Sequence, residues 1–345
     1  MGTTFQEKSA SAIRLRQPYL LFLGDAPDMM SAKTASGIAV WRPQSCLGQL
    51  RLPGCAADVG LADLSLEQAA QRGAATLVIG VAARGGRIPA TWLPTLSKAL
   101  QLGFDIASGL HEPLTAFSDL RQAAQAAKRQ LIDVRHPEGP FEIAIGKPRS
   151  GKRLLTIGTD CSAGKMFTAL ALEKEMRQRG YNADFRATGQ TGILISGSGT
   201  CIDGVISDFV AGAVEALAPA NEPDHWDVVE GQASVLHPSY AGVTLGLVHG
   251  SQPDAMVLCH PASRRYMRGL GDRPLPDLRA CMEAHVAAAQ LTNPRARVIG
   301  LSLNTQDMNE PDMQSRFDEL EHRYGLPVVD PMRTGVGRLV DALQG

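Results

Sequence analysis

Two parallel α/β sheets in series, each covered by helices, are what this sequence predicts, and three observations predict it. Apolar strand patterns alternate with helical patterns along almost the whole chain, which is the signature of parallel sheets with helices on both faces. The alternation is interrupted once, by the Pro- and Gly-rich stretch from His136-Pro137 to Lys147-Pro148-Arg-Ser-Gly151, and then restarts. With 345 residues, the chain is long enough for two cores. The expected division is residues 1–148 and 149–345.

In the first series, Tyr19–Leu23 is a short apolar strand ending at Gly24-Asp25. Ser65 followed by Gln68 reads as a capping box, opening a helix that ends at Gly73. Thr76–Val81 is a β-branched strand, followed by the loop Ala82-Ala-Arg84-Gly85-Gly86-Arg87 and a helix from about Ala90 to Leu102. Phe104–Ala107 is a further strand, Ser118 is expected to cap a helix, and Leu131–Val134 closes the series. Gly24-Asp25-Ala-Pro27 lacks the Gly-x-Gly-x-x-Gly spacing of a dinucleotide loop. The Arg84 loop is the better ligand candidate, since loops at the carboxyl ends of parallel strands are where such folds bind ligands.

The second series opens with Leu154-Leu-Thr-Ile-Gly158-Thr159-Asp160-Cys161-Ser162-Ala163-Gly164-Lys165-Met166. A strand runs into a Gly-Lys turn, and a helix from Phe167 to Arg179, closed by Gly180, follows. Backbone N–H groups converge at such a turn beside a lysine, which makes it a phosphate cradle. Residues 159–166 are therefore the expected cofactor-binding loop. Met166 stands where a Ser or Thr hydroxyl would hold Mg²⁺, which weighs against ATP hydrolysis. Further strands are expected near 182–187, 226–230, 244–248, 255–259, 297–303 and 326–329, and a helix over 205–217.

Candidate chemistry gathers at the strand ends. Trp226-Asp227-Val-Val-Glu230-Gly231 ends in an acid that could serve as a general base or hold a metal. Arg186-Ala-Thr188-Gly189-Gln190-Thr191-Gly192 supplies small hydroxyl and amide groups together with a cation. Asp203 and Asp208 lie at the start of the expected 205–217 helix, where acids also complement the helix dipole. His249 and His260 are expected to end strands and face a cleft. Arg264, Arg265 and Arg268 are cations suited to carboxylate or phosphate. Cys161, at a helix N-terminus, could be an activated thiolate.

A formal net charge of −1 and dispersed arginines give no basic field for nucleic acid. No apolar run reaches membrane-spanning length, and Met1–Arg16 lacks the apolar core of a secretion signal. Cysteines 46, 55, 161, 201, 259 and 281 show no Cys-x-x-Cys spacing, so no zinc knuckle or disulfide scaffold is indicated. A cytoplasmic enzyme is the expectation, and on base rates a homodimer.

Gly158-Thr-Asp-x-x-x-Gly-Lys and Val229-Glu-Gly resemble the phosphate loop and acidic strand end of dethiobiotin synthetase. Those motifs, taken with Ala187-Thr-Gly-Gln-Thr-Gly-Ile193, Ile202-Asp-Gly-Val-Ile-Ser-Asp-Phe-Val-Ala-Gly212 and Leu247-Val-His-Gly-Ser251, resemble a two-domain P-loop family whose characterised members are D-glutamate N-acetyltransferases. The resemblance implies a Rossmann-like first domain, a P-loop NTPase-like second domain, and acetyl transfer from acetyl-CoA to the amino group of D-glutamate. Under it, loop residues 159–166 hold CoA phosphates with no metal. Glu230, Asp203, Asp208 and His249 are then the catalytic candidates, and Arg84, Arg186, Gln190, Thr191 and Arg264 the substrate contacts. The rival expectations are a Mg-ATP-dependent kinase or ligase of the dethiobiotin synthetase type, and a nucleotide-binding module without turnover.

Overall fold

The computed structural model describes residues 13–82, 84–137 and 139–344, and the chain separates into two compact units. One gathers the described residues up to Gly139 together with Gly189–Gly204; the other gathers Pro140–Thr188 and Val205 onward. Cutting at 148/149 would have placed 189–204 with the second domain. It goes with the first because Ile193, Leu194 and Ile195 bury their side chains there, with Ile195 against the helix that carries Gly37.

In the N-terminal unit the order is β1 (Tyr19–Gly24), α1 (Lys33–Trp41), β2 (Cys46–Arg51), α2 (Leu66–Gln71), β3 (Thr76–Ile79), α3 (Leu93–Gln101), β4 (Asp105–Ser108), α4 (Ser118–Ala127) and β5 (Leu131–Asp133). The five strands pair in parallel in the order β2-β1-β3-β4-β5. Tyr19 to Leu23 are wholly buried, as a central strand between two helical layers requires. The order reverses beside β1, so a crevice opens at the carboxyl ends of β1 and β3. The Ser65–Gln68 capping box forms, each side chain bonding the other's backbone. Ser118 does not cap: it is already the first helical residue, and its hydroxyl donates to Asp119.

The C-terminal unit runs β6 (Lys152–Gly158), α5 (Lys165–Gln178), β7 (Ala183–Arg186), then α6 (Gln190–Ser196, packed in the other unit), α7 (Val210–Leu217), β8 (Trp226–Val229), α8 (Ala241–Ser251), β9 (Ala255–Pro261), α9 (Leu278–Gln290), β10 (Arg297–Asn304), α10 (Glu310–Tyr324), β11 (Val328–Val329) and α11 (Gly337–Asp341). Its sheet is parallel, ordered β11-β10-β9-β6-β8-β7. β6 and β9 are buried almost end to end, which sets the end of β6 at the centre of the sheet's carboxyl edge.

Residues 244–248 are not a strand but the middle of α8. Val, Thr and Leu between glycines read locally as β, but the glycines have a packing task. A Cβ on Gly246 would overlap Val210, and one on Gly250 would lie 2.7 Å from the Val214 Cβ. The bare face lets α8 lie close against α7, and that tertiary gain overrides propensity. The helix also carries the chain from the carboxyl edge of the sheet back to the start of β9. Among the described residues, no helix is long and apolar enough to cross a membrane.

Candidate active site

The phosphate loop is built from the end of β6. Ser162 and Gly164 take positive φ, 52° and 101°, turning successive N–H groups inward ahead of α5. Lys165, the first residue of α5, folds back so that Nζ donates to the Asp160 carbonyl at 2.7 Å. Its path is cleared by two glycines. A Cβ on Gly158 would stand 2.8 Å from Nζ, and one on Gly231 3.2 Å from Lys165 Cδ. Burial pushes the Lys165 ammonium below its ordinary pKa, so an anion placed beside it restores what desolvation takes away.

Asp160 organises the rim. Its carboxylate is fully buried. Oδ2 accepts the backbone N–H of Arg268 at 2.8 Å and lies 3.0 Å from Arg264 Nη2. Oδ1 faces His237 Nε2 at 3.4 Å, outside good hydrogen-bond geometry, and neither atom has another partner. His237 Nδ1 accepts the Ser239 N–H at 3.1 Å, which places the ring proton on Nε2 facing Asp160. Burial lowers the His237 pKa against the pull of Asp160. Arg264 also donates to the Cys161 carbonyl at 2.9 Å, and Arg268 Nη1 to Ser162 Oγ at 2.6 Å. The loop after β9 is thus strapped over the phosphate loop by charge-assisted bonds.

Ligating atoms of Asp160, Cys161 and His237 lie within 4.8 Å of one another. The Arg264 guanidinium on the same carboxylate and the nearby Lys165 charge disfavour a cation there, so this set fits an anion-binding rim better than a metal centre. Met166 offers no hydroxyl, and the nearest one behind it, Thr168 Oγ1, is engaged by the Gly164 carbonyl at 3.1 Å and Ser302 Oγ at 2.8 Å.

Glu230 ends β8, the strand beside β6. It is buried, its Oε2 accepting the Thr188 N–H at 2.9 Å while its carbonyl accepts the Thr188 hydroxyl at 2.7 Å. Glu230, Arg264 and the loop residues 159–166 therefore meet at one end of one sheet. Within the C-terminal unit, His249, Arg186 and Asp208 do not join them. His249 sits near the C-terminal end of α8, at the opposite edge of the sheet from the loop, because α8 is the return crossover. Arg186 is spent on the buried Asp227 at 2.7 Å. Asp208 is exposed in the turn Ser207–Phe209. Asp203, Gln190, Thr191 and the backbone of Arg84 belong to the N-terminal unit.

One participant escaped the sequence reading, and a second, His260, was expected to face a cleft but is buried. His237 looked like a loop residue before proline, yet it is buried against Asp160. His260 Nδ1 lies 3.0 Å from Thr159 Oγ1 and burial takes its pKa down to about 4, so it is a neutral support for the loop. Beside the loop, a cavity of about 240 Å³ is lined by Gly164, Phe167, Asn304, Asp330, Pro331 and Met332, among others. Phe167 and Met332 leave apolar surface exposed there.

Comparison with known proteins decides the family. A domain of unknown function described as the DUF1611_C P-loop domain matches residues 142–340, and its companion, the DUF1611_N Rossmann-like domain, matches 51–137. The chain belongs to the DUF1611 family. A D-glutamate N-acetyltransferase of Tritonibacter scottomollicae is 54% identical over 95% of this chain and 99% of that protein. One from a Pseudoalteromonas species is 48% identical with the same coverage. The crystal structure of a DUF1611 family protein from Anabaena variabilis superposes with a TM-score of 0.80 at 31% identity, covering 96% of this chain and all of that one. With such likeness along its whole length, this DUF1611 protein is an enzyme, a transferase.

Proposed function

We propose that the enzyme moves the acetyl group of acetyl-CoA to the amino group of D-glutamate, with the loop 159–166 holding CoA phosphates. The observation that carries this reading is a complete phosphate cradle that lacks the hydroxyl used for magnesium. Loop amides, Lys165, Arg264 and Arg268 supply positive potential for a pyrophosphate. Met166, with Thr168 already engaged, leaves the site built to hold phosphate rather than to transfer it. The neighbouring cavity, between Phe167 and Met332, suits the flat face of an adenine.

In the transfer, the deprotonated amine attacks the thioester carbonyl, the C–N bond forms, and the C–S bond breaks with the electron pair leaving on the CoA sulfur. Glu230 is our candidate to take the ammonium proton, since it follows the strand that pairs with the one leading into the phosphate loop. The names of the 48–54% identical relatives support the substrate pair.

Mass-detected turnover of the purified protein with D-glutamate and acetyl-CoA, without ATP, tests the reading. N-acetylglutamate and free CoA are expected, and both are lost in Lys165→Ala. ADP release from Mg-ATP with no acetylated product would replace it with a kinase or ligase.

A further inference from the structure

The N-terminal unit has its own cavity, of about 430 Å³, within the range of small-molecule sites. It lies at the carboxyl ends of β1, β3 and β4, at the point where the strand order reverses, where open α/β sheets bind ligands. Its polar lining is Lys33, Thr34, His111, Arg135, Gln190 and Thr191, and no acidic residue lines it.

These groups are held in place yet not consumed. Arg135 Nε donates to the Gly109 carbonyl at 2.7 Å, fixing the guanidinium; its charge also acts on Asp203, while its two terminal nitrogens make no hydrogen bond among the described residues. Lys33 is exposed and joins no ion pair among them. Thr34 lines the cavity, and its hydroxyl makes no hydrogen bond among the described residues. Gly86 lies so close to the His111 ring that a Cβ would stand 2.6 Å from it, so the turn Arg84–Gly86 is shaped against the same wall.

Lys33 opens α1 whereas Arg135 follows β5, so the two cations come from different walls. We infer that this cavity is a second binding site, selective for a small organic dianion whose two negative groups are separated, of the dicarboxylate class. Gln190 and Thr191, at the start of α6, supply the amide and hydroxyl that orient it. The inference does not depend on the transfer reaction.

Isothermal titration of the full-length protein, without acetyl-CoA, tests it with glutarate, D-glutamate, N-acetyl-D-glutamate and inorganic phosphate as probes. At least one dicarboxylate is expected to bind, tenfold or more weakly in Lys33→Ala and Arg135→Gln, and unchanged in Lys165→Ala. Thr191→Glu guards against misfolding: an acid in the first turn suits the dipole of α6 and should abolish binding while leaving the melting curve intact. Binding of phosphate alone, dicarboxylate binding lost only in Lys165→Ala, or no binding of any probe would each overturn the assignment. Absence of N-acetylglutamate in the turnover assay would sink the proposed reaction and leave this result standing.

Discussion

The two candidate ligand sites of this chain are wired differently. At the phosphate loop the charged groups are tied to one another, though Asp160 Oδ1, His237 Nε2 and Arg264 Nε have no hydrogen-bond partner among the described residues. Lys165 bonds its own loop, Asp160 gathers Arg264 and the Arg268 amide, and Arg268 reaches Ser162. In the N-terminal cavity Lys33 joins no ion pair among the described residues, and Arg135 is bonded only through Nε, to the Gly109 carbonyl. A loop that must present several amides to one pyrophosphate loses little entropy on binding if it is already braced. An open pocket instead leaves its side chains to the ligand, and so gains selectivity from it rather than stability from itself.

If the bracing is real, Asp160→Ala should have the largest effect. Removing a fully buried carboxylate leaves Arg264 and His237 facing each other without it, at a cost of about 3 kcal/mol, read as a lower urea midpoint. A loss under about 0.5 kcal/mol would break the comparison on the C-terminal side. Lys165→Ala should next raise the KM for acetyl-CoA about hundredfold with kcat little changed, since it removes a charged contact made equally in ground and transition states. A fall in kcat instead would move Lys165 from holding to catalysis.

Acid sharpens the contrast. Burial takes His260 and His285 down to about 4, against about 6.5 when unfolded. Stability is therefore full above about pH 6.5 and falls as pH drops toward 4, because only the unfolded chain takes up the protons. Each histidine should contribute a slope of about 1.4 kcal/mol per pH unit in that window, and His285→Gln should remove one share of it in urea titrations at pH 5 and 7. The smallest effect belongs to the open pocket. Thr34→Val gives up no hydrogen bond, so its stability should stay within about 0.5 kcal/mol of the parent.

Local chemistry was what the sequence made legible. The Gly-Thr-Asp-x-x-x-Gly-Lys turn, the strand ending in Glu230 and the Ser65 capping box each carry their cause within a few residues, and each is found in place. What could not be read depends on distant partners. α8 is a helix because Gly246 and Gly250 admit α7, a fact absent from its own β-like residues. His237 matters because the fold brings it to Asp160, 77 positions earlier in the chain. Arg186 looked like a free cation until Asp227, on a neighbouring strand, claimed it.

The placement of Gly189–Gly204 in the N-terminal unit bears on how the chain is made. During synthesis the first unit cannot be completed when its five strands have emerged, because α6 and the residues pairing with Ile13–Arg14 are still to come. Those residues follow β6, the phosphate loop and β7 in the order of translation. The two units are therefore interleaved along the chain, and fragments cut near residue 148 are expected to leave the first without one wall and the second with an unmatched apolar helix.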